Sequence, residues 1–234
     1  MLKKILFLGL ALVASISWSV AQIMPSPARA EGEGPYEKLI IRGVTLIDGT
    51  GAPPLGPVDI VVEKNRITQI QAVGYPGVPI NENRRPKADD KTKVMDLTGH
   101  YLMPGLIDMH GHIGGSGQGT PAEYVFKLWM AHGITTVRDP SAGNGLTWVL
   151  DHKKKSAANE ITAPRLLAYT SFGQGAKGPI TTAEQAKAWV NENKAKGADG
   201  IKFFGAKPEV MEAAISENKR IGLRSAMHHQ QLDV

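Results

Sequence analysis

A rhythm in the second half of the chain constrains its fold more than any other feature. Strand-like apolar runs end near residues 110, 138, 170, 203 and 228, and stretches of helical spacing separate them. The expected helices cover Ala122–His132, Leu146–Ser156, Thr181–Lys196 and Pro208–Arg220, the third opened by a capping box at Thr181-x-x-Glu184. A strand-then-helix unit of about 30 residues, repeated in this way, predicts a parallel sheet with right-handed crossovers. An open doubly wound sheet and a (β/α)8 barrel both satisfy that rhythm. Either one gathers its ligands at the carboxyl ends of the strands. Residues 36–100 read differently, as a small β module. Its short strands are Leu39–Ile47, Asp59–Glu63, Arg66–Val73 and Lys93–Leu97, with a hairpin at Lys64-Asn65 and a Gly/Pro-rich loop from Thr50 to Pro57.

The 234 residues suffice for one or two domains, and a composition of 42% hydrophobic and 21% charged residues is that of a globular protein. Three of the five net positive charges, Lys3, Lys4 and Arg29, lie in the first thirty residues, which contain no Asp or Glu. The remaining +2 gives no argument for a nucleic-acid partner. The one dense basic cluster, Lys153-Lys154-Lys155, is expected to be a solvated helix end. Lys3-Lys4 followed by the apolar run Ile5–Ala14 reads as a bacterial-type signal peptide spanning 1–30, with small-residue cleavage signals ending at Ala21 and Ala30. Ser15, Ser17 and Ser19 interrupt the run, so no stable membrane anchor is expected and a periplasmic or secreted location is. With no cysteine in the chain, a metal would be held by His, carboxylates or groups derived from other side chains.

The first strand of the repeating region is read as continuous from Tyr101 to Ile113, and it ends in His110-Gly111-His112. Alternation along a strand puts both imidazoles on one face, where they can share one ion, and neutral imidazoles suit zinc and similar metals. Asp108 lies on the same face, either to orient a histidine or to satisfy backbone amides. His228-His229 closes the fifth strand and Lys202 lies in the fourth. Arg138 and Asp139, at the end of the second, are expected to pair with each other. His100, His132 and His152 read as turn or helix-end residues.

Several segments resemble the metal-dependent amidohydrolase superfamily, and among its exported members the imidazolonepropionase-like and Xaa-Pro dipeptidase-like proteins. They are Gly43-Val-Thr-Leu-Ile-Asp-Gly49, Gly105-Leu-Ile-Asp-Met-His-Gly-His112, Gly133-Ile-Thr-Thr-Val-Arg-Asp139, Gly197-Ala-Asp-Gly-Ile-Lys202 and Gly222-Leu-Arg-Ser-Ala-Met-His228. The resemblance implies an α/β chain: an incomplete TIM-like (β/α)8 barrel of about five units over residues 101–234, preceded by part of a β-sandwich module over residues 31–100. It implies that His110 and His112 hold a divalent metal, zinc for preference. Lys202 would be the carboxylated lysine bridging one or two ions, and His228 a ligand of the second. Two ions about 3.5–4 Å apart would activate a hydroxide to attack a C–N bond in an amide, cyclic amide or dipeptide-like small molecule. The family's sixth-strand histidine and its general-base aspartate have no counterpart before Val234, so a truncated, N-terminal form is expected. A homo-oligomer is left open.

Two rival readings stand beside that one. Gly173-Gln-Gly-Ala-Lys-Gly178 follows a predicted strand and precedes Asp199 by about 20 residues, as a dinucleotide fingerprint would. The expected helix start at Thr181 leaves those glycines outside the helix, where they could not cradle a pyrophosphate. The other is an inactive fragment that keeps metal affinity at His110 and His112. Gly114–Gly119 is expected to be a flexible rim loop without a phosphate pattern.

Overall fold

The computed structural model describes residues 33–228. The predicted signal peptide and His229 lie outside the described residues. Among these residues, no helix is long and apolar enough to cross a membrane.

Strands β1 (Lys38–Leu46), β2 (Leu55–Glu63), β3 (Arg66–Ala72), β4 (Thr92–Asp96) and β5 (Tyr101–Leu102) make one mixed sheet in the order β3-β2-β1-β4, with β5 also on β1. The hairpin at Lys64-Asn65 joins antiparallel β2 and β3, as its spacing predicts. Beneath this sheet Asp59, fully buried, accepts the Gly43 amide at 2.9 Å and pairs with Arg85 at 3.2 Å. Pairing of this kind is what allows a carboxylate to be buried in so small a module.

The second sheet contains β6 (Leu106–Asp108), β7 (Ile134–Asp139), β8 (Arg165–Ser171), β9 (Gly200–Phe203) and β10 (Arg224–Met227). Helices α1 (Ala122–Ala131), α2 (Leu146–Ala157), α3 (Ala183–Lys196) and α4 (Pro208–Arg220) cross between successive strands. Every pairing is parallel and the spatial order is the chain order, β6 to β10. A doubly wound sheet would reverse its order at a switch point. The unbroken order belongs to a curled half-barrel of the TIM type. All four residues of β9 are buried, as befits a parallel strand covered on both faces. Phe126, Val137, Val149 and Leu166 pack α1 and α2 onto the sheet, each worth about 1.5–3 kcal/mol of transfer free energy.

The structure corrects three local expectations. The stretch from Tyr101 to Ile113 is not one strand: Met103, Pro104 and Gly105 separate β5, in the first sheet, from β6, in the second. Proline cannot donate to a ladder, so the break falls where the chain passes between sheets. The capping box of α3 is Thr182 with Gln185, one residue beyond the predicted pair, and Gln185 Oε1 also takes the Thr181 amide. Finally, Lys153 is no free helix-end charge. It donates to both oxygens of Asp199, at 2.7 and 2.6 Å, while Asp199 also accepts the Ala168 amide.

Candidate metal centre

Parallel pairing brings the carboxyl ends of all five strands to one rim. β6 ends at Asp108, and the next residues turn in a bend, so His110 and His112 stand just beyond the strand. The backbone there still alternates: His110 and His112 are exposed, Gly111 and Ile113 buried. The two imidazoles meet edge to face with centroids 5.4 Å apart. Gly111 is required by close packing, since a Cβ would stand 2.7 Å from both Trp129 and Val137. Asp108 accepts the His110 amide at 2.8 Å. Of its two expected roles, this is the backbone one.

Lys202 is 4% exposed in β9, in register with Ser171 on one side and Ala226 on the other. Its amine lies 5.6 Å from the centre of the Phe204 ring, and that ring meets His228 edge to face at 5.0 Å. Phe204 and His228 stand one residue beyond β9 and β10 respectively, where the His228 amide still donates to the Phe203 carbonyl at 3.0 Å, so the contact continues the strand register. Burial, and then the charge of Arg138, push the Lys202 amine below the ordinary lysine range. Burial also lowers His110, followed by the charges of Lys202, His112, Arg138 and His228. His110 thus lies within electrostatic reach of Lys202, Arg138 and His228 along the rim.

Arg138 and Asp139 do not pair, because consecutive strand residues point to opposite faces. Arg138 donates to the Met109 carbonyl at 2.6 Å and lies over the Tyr169 ring at 5.3 Å. Asp139 turns inward, its Oδ1 3.6 Å from His112 Nδ1, and burial raises its pKa. Its place beside His112 depends on the parallel pairing of β6 with β7, which no local spacing encodes. His132 Nδ1 hydrogen-bonds within α1, whereas His152 lies inside α2 and stacks on Trp148 at 4.0 Å rather than ending a helix.

Among the described residues, no three His or carboxylate side chains gather closely enough to hold an ion by themselves. The donor chemistry nevertheless fits a borderline metal. Two imidazoles stand side by side, the pKa of His110 lowered by burial, and a third imidazole lies beyond the ring packed against Lys202. The Lys202 amine is buried beside a cation rather than an anion, and carboxylation would give it the charge and oxygen atoms of a ligand.

The two glycine-rich loops are structural parts of the same rim. Gly114–Gly119 is pinned rather than loose: the Asn144 side chain donates to the Gly114 carbonyl and accepts the Gly117 amide at 3.0 Å. A Cβ at Gly115, whose φ is +90°, would fall 2.4 Å from the Asn144 amide nitrogen. In Gly173–Gly178 the turn closes on itself through Ala176 N to Gly173 O, and α3 begins only at Ala183. Asp199, the acid of the supposed fingerprint, is engaged with Lys153. Nothing in that arrangement can cradle a pyrophosphate.

No family model matches the chain. Adenine deaminase 2 of Rhizobium etli is 34% identical over 132 residues, covering 53% of this chain and 19% of that protein. An adenine deaminase of Paracoccus denitrificans is 28% identical over 188 residues, 75% of this chain and 28% of that protein. The chain thus spans only about a fifth of the length of the former and little more than a quarter of the latter. Among solved structures, a Xaa-Pro dipeptidase with bound methionine superimposes with a TM-score of 0.58 at 22% identity, over 82% of this chain and 56% of that one. An amidohydrolase gives 0.61 at 19% identity, over 82% and 56%. Molinate hydrolase gives 0.61 at 18%, over 82% and 54%. These likenesses show that the chain shares the fold of the solved amidohydrolase and Xaa-Pro dipeptidase structures over about four fifths of its length.

Proposed function

We propose that the protein is a metal-dependent hydrolase of C–N bonds in small molecules, with its reacting centre at the rim of the half-barrel. One observation supports the reading: the His110 and His112 rings meet at 5.4 Å just beyond β6, on the rim that also carries buried Lys202 and, across the Phe204 ring, His228. His110 and His112 would hold the first ion, and Lys202, once carboxylated, would share it with a second ion at His228. Divalent zinc or a similar metal would supply Lewis acidity and a water acidified toward pH 7. The chain's own part is to lower the pKa of both His110 and Lys202, through burial first and then through neighbouring positive charge, Arg138 among it. Arg138 also fixes the Met109 carbonyl, and with it the bend that carries both histidines. The names of the relatives, adenine deaminase and Xaa-Pro dipeptidase, support a C–N bond as the target, in an amide, cyclic amide or dipeptide-like molecule. Export to the periplasm or beyond completes the proposal, on the strength of Lys3-Lys4 and the apolar run after them.

The test is metal analysis of the purified protein, joined to a panel of Xaa-Pro dipeptides, cyclic amides and adenine. Bound zinc or manganese together with turnover on one class is the expected result. Absence of both from a folded, metal-supplemented preparation sinks the reading. Metal bound without turnover identifies the inactive metal-binding alternative.

A further inference from the structure

One buried carboxylate at the rim has no part in the proposal above. Asp139 closes β7 at 2% exposure, and its Oδ1 accepts the amides of Ser141 and Ala142, both at 3.2 Å. The same oxygen faces His112 Nδ1 at 3.6 Å, a little beyond hydrogen-bond length, where charge can orient a ring that a small rotation would bring into contact. A recess of about 10 Å³ between His112, Asp139, Gly143 and Asn144 has room for roughly one water and for no further side chain.

The turn that presents Asp139 is built to an unusual degree. Ala142 is fully buried and holds φ at +46°, the left-handed region that a residue with a Cβ seldom adopts. Its carbonyl accepts the Gln174 side-chain amide at 2.8 Å, and the Ser141 carbonyl accepts the Ser171 hydroxyl at 3.2 Å. Gln174 is fixed in turn, since its Oε1 takes the Thr170 hydroxyl at 2.9 Å and its carbonyl takes the Trp189 indole N–H at 3.2 Å. The glycine-rich segment that imitates a nucleotide motif thus serves as a buttress beneath Asp139. Strain sustained by so many bonds marks a place where the surroundings over-determine the backbone.

We infer that Asp139 is a positioning residue for His112: it holds the ring proton on Nδ1 and leaves Nε2 as the lone pair offered to the rim. A carboxylate behind a ligating imidazole fixes both tautomer and ring plane, and losing such a partner costs 10–100-fold in metal affinity. The inference rests on the proposed metal site for its consequence, though not for its geometry.

The experiment compares the unaltered chain with D139N, D139A and H112A. Long-range proton–nitrogen spectra read the His112 tautomer without metal, and zinc titration reads affinity. Circular dichroism checks each fold, and D139N, which keeps an oxygen for the Ser141 and Ala142 amides, guards against collapse of the turn. Expected are an Nδ1–H tautomer in the unaltered chain, its loss in D139A and partial loss in D139N. Zinc affinity should fall about 10-fold in D139N and up to about 100-fold in D139A, towards the level of H112A. A folded D139N and D139A with unchanged tautomer and unchanged zinc affinity overturn the inference. If the unaltered chain binds no zinc while the tautomer still follows Asp139, the metal reading fails and the positioning role stands.

Discussion

At the scale of single residues, the rim trades stability for chemistry. Lys202 is buried near a cation and an aromatic ring, and among the described residues no carboxylate forms an ion pair with it. Exchange for a residue of similar length without charge should relieve that cost. K202M is expected to raise the melting temperature by about 2–4 °C per kcal/mol recovered, seen by scanning calorimetry, while removing the proposed bridging ligand. Gly111 makes the opposite case. Its missing side chain lets Trp129 and Val137 close behind the two histidines. G111A should cost about 1–3 kcal/mol in urea unfolding and move His110 and His112 off their common face. His110 and His112 were legible from spacing alone, because alternation outlasts the formal end of β6. Asp139 was not, because the residue that makes it meaningful lies 27 positions away, just beyond another strand.

At the scale of elements, the four helices fall where apolar spacing puts them, and the misreadings lie at their edges. Overlapping Thr181-x-x-Glu184 and Thr182-x-x-Gln185 offer two capping boxes, and only the direction of the entering chain selects the second. Lys153 looked solvent-bound because its partner, Asp199, arrives from the far side of β8. Between α3 and α4, Glu217 accepts from Arg220 at 2.7 and 2.6 Å and from Asn191 at 2.6 Å. Those hydrogen bonds, Arg220's first, hold its carboxyl down at about 2, against 4.5 in an unfolded chain. A depressed carboxylate stabilises the fold above the unfolded value and loses that contribution as the pH falls towards the folded one. Thermal stability should therefore decline between pH 4.5 and about 2, and the E217Q variant should show a shallower decline over the same window.

At the scale of the whole molecule, the described half-barrel leaves the far edge of β6 without a strand beside it. Leu106 and Ile107 there are 52% and 60% exposed, with Met103 and Met109 nearby at 56% and 48%. An open edge with apolar side chains templates association. I107K is expected to lower the self-association of this chain, measured by light scattering across a concentration series, without changing its circular dichroism. The parallel order of the strands could be read from the strand–helix rhythm. Barrel and open sheet could not be told apart that way, since the choice depends on which neighbours a strand meets in space.

The pinned rim also bears on how such a protein can diversify. Barrel enzymes owe their variety to loops that change one at a time on a constant frame. Here Asn144 binds the first loop to the second, and Gln174 binds the second to the third. A loop grafted singly from a relative would arrive without its latch and leave a neighbour unlatched as well. Loops tied in this way are expected to be exchanged productively only as a set of three.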